Sequence, residues 1–160
     1  MAVLRSRLFL WPVLNLLIAV AVIGLPHGST AAAQTTTVCL RSQVPYGYVI
    51  IGETYQSSCL DDSAYVITLP PRDGTTTAMC KGNLAGVPRG FVVVGETSSG
   101  PCDGYLAGTW VIRTPAPSGI TVICRVNLGQ IPAGFQAVGG STSGGPCSSL
   151  RGTWQIAPIP

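Results

Sequence analysis

Few residues of this 160-residue chain could do chemistry: six cysteines, two glutamates in matching settings, one lysine and several tyrosines. The cysteines stand at Cys39, Cys59, Cys80, Cys102, Cys124 and Cys147, and no two are closer than 20 positions. Metal sites use close pairs such as C-x-x-C, so these cysteines lack metal-ligand spacing. An even number of widely spaced cysteines in an exported chain reads as a disulfide framework. Glu53 and Glu96 both sit in the run G-E-T. Two carboxylates at a suitable separation can hydrolyse a glycosidic bond. Gly140 takes the matching position in a third such run, so duplication of a strand end explains the pair without chemistry. Lys81 is the one lysine, and no S-x-x-K run accompanies it. The one histidine, His27, lies in an N-terminal apolar segment, which leaves the rest of the chain without an imidazole base for an activated serine or cysteine. Asp61, Asp62, Asp73 and Asp103 are scattered and do not form a calcium loop. Phosphate-cradling and dinucleotide glycine runs are absent. The expectation is a non-enzyme with no cofactor and no metal.

The elements that must position these residues begin after residue 33. Residues 8–25 are almost wholly apolar, follow Arg5 and Arg7, and lead through Pro26 to Ala31-Ala32-Ala33. A basic start, an apolar middle and a small-residue exit make a secretory signal pattern, so residues 1–33 are expected to be a signal peptide. A membrane anchor needs about 20 apolar residues. This run is 18 long and contains Pro12 and Asn15. The expected location is secreted or periplasmic, with no membrane contact after cleavage. Two of the nine basic residues fall in that segment, which leaves seven basic against six acidic, a net of +1. A near-neutral chain has no electrostatic footprint for nucleic acid.

The remainder is a threefold repeat: residues 34–76, 77–119 and 120–160. Each copy has a cysteine, then aliphatic-Pro-x-Gly-aromatic, then a glycine four residues after the aromatic, then a second cysteine, and closes on aromatic-x-Ile and a proline. The first cysteines stand at 39, 80 and 124. Copies two and three also share Asn-Leu at 83–84 and 127–128 and Gly-Thr-Trp at 108–110 and 152–154. Repeats of this length stack into pseudo-symmetric units. Duplicated units most simply carry their own bridges, so the expected pairs are Cys39–Cys59, Cys80–Cys102 and Cys124–Cys147. Each closes a loop worth about 3 kcal/mol in the chain-entropy model.

No window after Cys39 holds a helical apolar period for three turns. Val, Ile and Thr, interrupted by Gly and Pro, favour short strands joined by turns. The runs V-P-Y-G, V-P-R-G and I-P-A-G read as turns with Pro second and Gly fourth. The strand after them is apolar on both faces in copies one and two, which implies burial from two sides or contact with a neighbouring copy. In copy three, Phe135 and Ala137 alternate with Gln136 and are expected to point inward. In the last strand, Tyr65, Ile67 and Leu69, like Trp110 and Ile112 and like Trp154 and Ile156, share one face. Period-2 geometry puts that face in the core. The fold class is therefore all-β, three disulfide-stapled repeats of short antiparallel strands. They form either tandem small sheets or a β-trefoil-like pseudo-threefold barrel, and a count of about three strands per unit favours the row.

The unit resembles short Cys-bracketed repeats, with Pro-x-Gly-aromatic and a closing Ile-x-x-Pro, found in secreted bacterial proteins of unassigned function. The resemblance covers residues 37–160 and implies no activity or site. Repetition offers multivalent contact. The expected function is a structural, adhesion or surface-interaction role with a protein or glycan partner. The alternative is a carbohydrate-binding module, and a small glycoside hydrolase using Glu53 and Glu96 ranks third. Turn positions that differ between copies are where a ligand would be read. The candidate ligand-binding residues are Tyr46, Arg89, Tyr55 and Tyr105.

Overall fold

A computed structural model describes residues 34–83, 86–97, 100–102, 106, 108–127, 131–140, 146–147 and 152–160. The expected signal peptide and Tyr105 lie outside the described residues. Among those residues there are nine strands in three separate sheets, with no α-helix. Repeat one contributes β1 (Thr35–Val38), β2 (Val49–Tyr55) and β3 (Ser63–Thr68). Repeat two contributes β4 (Thr77–Cys80), β5 (Val92–Thr97) and β6 (Thr109–Arg113). Repeat three contributes β7 (Thr121–Cys124), β8 (Phe135–Gly139) and β9 (Thr153–Pro158). Every sheet is antiparallel, with its last strand in the centre: β1-β3-β2, β4-β6-β5 and β7-β9-β8. No strand of one repeat is hydrogen-bonded into the sheet of another.

The three bridges form within their copies: Cys39–Cys59, Cys80–Cys102 and Cys124–Cys147. They are not self-contained, however. The Cys80–Cys102 bridge is buried among Ile50 and Ile67 of repeat one. The Cys124–Cys147 bridge is buried with Val49, Met79, Val93 and Ile112 of repeats one and two. The second and third bridges thus complete the core of the copy before them.

The register explains why β2 and β5 are apolar on both faces. Ile50 lies opposite Ile67 and Val93 opposite Ile112 inside their own sheets. Val49 instead joins Met79 and Ile112 of the next copy, and Val92 joins Ile123 and Ile156. A β-bulge follows at the same place in every copy, between Ile50 and Gly52, Val93 and Gly95, and Ala137 and Gly139. An extra residue bends the strand. The glycine beyond it then clears a path for the neighbouring copy. A Cβ on Gly52 would stand 3.2 Å from the Pro101 Cβ, and one on Gly95 would stand 3.6 Å from the Pro146 Cβ. The proline before the second cysteine therefore seats on the bulge glycine of the preceding copy. In repeat one, Ser58 stands at that position.

Three expectations need correction. The Pro-x-Gly turns run one residue later than predicted. Tyr48 N–H donates to the Pro45 carbonyl, Phe91 to Pro88 and Phe135 to Pro132, each at 3.1 Å. Glycine is then third in the turn, with φ of +88°, +89° and +87° at Gly47, Gly90 and Gly134. A type II turn demands that left-handed value, and glycine meets it without a Cβ clash. Ala137 is exposed rather than inward: Val93, at the matching position, has the next copy's bridge packed over it, and Ala137 has no such cover among the described residues. Leu69 is half exposed, because β3 ends at Thr68 and the alternation ends with it.

Candidate functional site

The type II turns place their second residue at a tip and their fourth, an aromatic, at the base. The tips are Tyr46, Arg89 and Ala133 and the bases Tyr48, Phe91 and Phe135. The turns of all three copies come together around one cavity of about 510 Å3. Its lining includes Tyr46, Tyr48, Pro88, Arg89, Ile131 and Ala133. That volume lies within the range of small-ligand clefts.

Each wall has a local cause. In repeat two the buried Asn83 donates from its side-chain amide to the Gly86 carbonyl at 2.7 Å. The Gly86 N–H returns to the Asn83 carbonyl at 3.0 Å. This closed turn, with Gly86 at φ +67°, delivers Val87 and Pro88 to the cavity. The base of the same turn, Phe91, is 2% exposed, and the Arg72 guanidinium lies over its ring at 5.5 Å from the centroid. The Arg72 Nη1 also approaches within 3.5 Å of where a Gly90 Cβ would be. Tyr46, at the first tip, is 84% exposed, so its ring is free to stack.

Two of the four candidates from sequence, Tyr46 and Arg89, thus meet at one cavity. Tyr55 does not. It is exposed at the far end of β2, opposite Ser63, away from the turns. Tyr48, Val87, Ile131 and Pro132 also line the cavity and were not singled out from sequence, although the aligned turns of the three copies carried the signal.

The other chemistry-bearing residues take structural positions. Lys81 is ion-paired with Glu96, and both side chains are mostly buried. Glu53, the matching glutamate of repeat one, is exposed. Arg41 covers Tyr65 at 5.3 Å, with its Nε donating to the phenol oxygen at 3.2 Å. Arg125 covers Trp154 at 5.7 Å. Tyr65, Trp110 and Trp154 pack against the three cores. The Asp73 carboxyl accepts from Thr75, whose side chain and backbone N–H hold its pKa below the ordinary value. Among the described residues, no group of His, Cys, Asp and Glu could hold a metal ion. No helix among them is long and apolar enough to cross a membrane. Compared with known proteins, the chain matches no family model, no curated protein and no solved structure.

Proposed function

We propose that this chain is an exported, non-catalytic repeat protein that engages a surface partner through the groove made by its three Pro-x-Gly turns. One observation carries the reading: equivalent turns from all three copies line a single cavity. Contacts between β2 and β4 and between β5 and β7 run from each copy to the next, which favours a row over a trefoil barrel. A row presents its turns in sequence to an extended partner. Three disulfides suit an oxidising compartment and agree with the signal pattern of residues 1–33. A carbohydrate partner is the second reading, supported by the exposed Tyr46 ring beside the cleft.

The test is an array of immobilised glycans and peptides probed with the disulfide-intact chain and with Ala133→Trp. Ala133 is exposed on the groove wall, so a bulky side chain there fills the groove without entering a core. Binding that is lost in Ala133→Trp supports the reading. Binding that survives it places the contact surface elsewhere.

A further inference from the structure

The three turn tips are the same in backbone and different in chemistry: a ring at Tyr46, a cation at Arg89 and a methyl group at Ala133. Duplication produced one scaffold, and the side chains on it have diverged within a single cleft. A second cation stands beside this turn, outside the cavity lining. Arg72 reaches the same turn from the linker between repeats one and two and lies over Phe91 beside Gly90. Among the described residues neither Arg72 nor Arg89 is paired with a carboxylate, since the ion pair there joins Lys81 to Glu96. No acidic residue lines the cavity. The remaining wall, Val87, Pro88, Ile131 and Pro132, is apolar.

Resting on the groove reading above, we infer that the groove takes an acidic polysaccharide, a chain of sugar rings bearing carboxylates. The charge is complementary: Arg89, the one charged residue of the lining, has no carboxylate partner among the described residues and offers forked donors to a carboxylate. An exposed tyrosine ring beside it covers the apolar face of a neighbouring sugar. A chain of rings also matches a cleft that crosses three copies, because successive units meet successive tips. An acidic peptide satisfies Arg89 but makes less use of the flat, exposed ring at Tyr46.

The experiment is titration calorimetry on the disulfide-intact full chain with three probes: oligogalacturonate, its methyl ester and polyglutamate. Oligogalacturonate is expected to bind, more weakly as salt rises. Arg89→Gln is expected to weaken it about fivefold, the upper range for an exposed charge pair. Tyr46→Ala is expected to weaken it as well, and Arg125→Gln, outside the groove, to leave it unchanged. Thermal melts check that each variant remains folded. Equal binding of the methyl ester overturns the carboxylate inference, and the groove reading survives if Ala133→Trp still abolishes that binding. Equal, Arg89-dependent binding of polyglutamate overturns the sugar and makes the partner an acidic peptide. Failure of all three probes overturns the inference, and the array with Ala133→Trp then judges the groove independently.

Discussion

Strands β5 and β8 occupy the same place in successive copies, with the same turn before them and the same bulge within them. Their environments are opposite. Val92 and Val93 are fully buried, Val92 in the next copy's core and Val93 between its own sheet and the next copy's bridge. Gln136 and Ala137, at the matching positions of β8, are exposed. The bulge glycines differ in the same sense. Gly95 faces Pro146 of the following copy, whereas over Gly139 lies the Gln155 side chain, whose Oε1 would be 2.8 Å from a Cβ. Gln155 stands where Val66 and Val111 stand in the other sheets. A hydrogen-bonded ladder is thus enough to hold the strand, and the side chains decide whether it docks a neighbour.

The largest expected effect separates the bridges. Their sequence separations of 20, 22 and 23 give nearly equal loop entropies. Replacing the Cys80–Cys102 pair by alanines should cost about 4 kcal/mol, and replacing the Cys39–Cys59 pair about 3. The difference reflects packing, since Cys80 and Cys102 are fully buried in another copy's core while Cys39 is half-buried. Equal losses in urea unfolding would show that the bridges act through the unfolded chain alone.

The strand comparison comes next. Val92→Gln buries an amide without a partner and should cost about 2–3 kcal/mol. Gln136→Val should change stability by less than about 0.5 kcal/mol. A comparable loss at both positions, by chemical denaturation, would break the distinction between docking and open faces.

A finer contrast lies in the two glycine seats, neither of which takes a positive φ. Gly52→Ala meets Pro101 at 3.2 Å and should destabilise by about 1 kcal/mol. Gly95→Ala makes an ordinary 3.6 Å contact and should be neutral or stabilising by about 0.5 kcal/mol. Adding Pro101→Gly, which removes the clashing Cβ, should lessen the penalty of Gly52→Ala, which a double-mutant cycle measures.

The smallest effect concerns the matched glutamates. Glu96→Gln breaks a partly exposed ion pair with Lys81 and should cost about 1 kcal/mol after solvent screening. Glu53→Gln should cost nothing measurable. The thermal midpoints of the two variants, read side by side, check this.

Much of the architecture was legible because duplication wrote it three times. The aligned cysteines named the bridges, the aromatic-x-Ile spacing named the central strand of each sheet, and double-faced apolarity in β2 and β5 pointed to a neighbouring copy. The turn register was less legible, because Pro and Gly suit more than one turn position and φ separates the choices. Half of the candidate site was legible too. Tyr46 and Arg89 stood out as variable residues at matching turns. Tyr55 did not belong with them, since composition alone does not distinguish the two ends of a strand.

Local matters were legible from the order of residues: strand periodicity, turns, loop closure by cysteines and the absence of an imidazole after His27. These depend on neighbours a few residues apart or on simple counting. Packing between whole sheets decided that the second and third bridges complete the core of the preceding copy, that prolines seat on bulge glycines and that three turns share one cavity. Those contacts join residues of different copies, such as Gly52 with Pro101 and Val49 with Ile112, and no local pattern records them. Burial of apolar area is non-directional, so which faces meet is settled only when whole sheets pack.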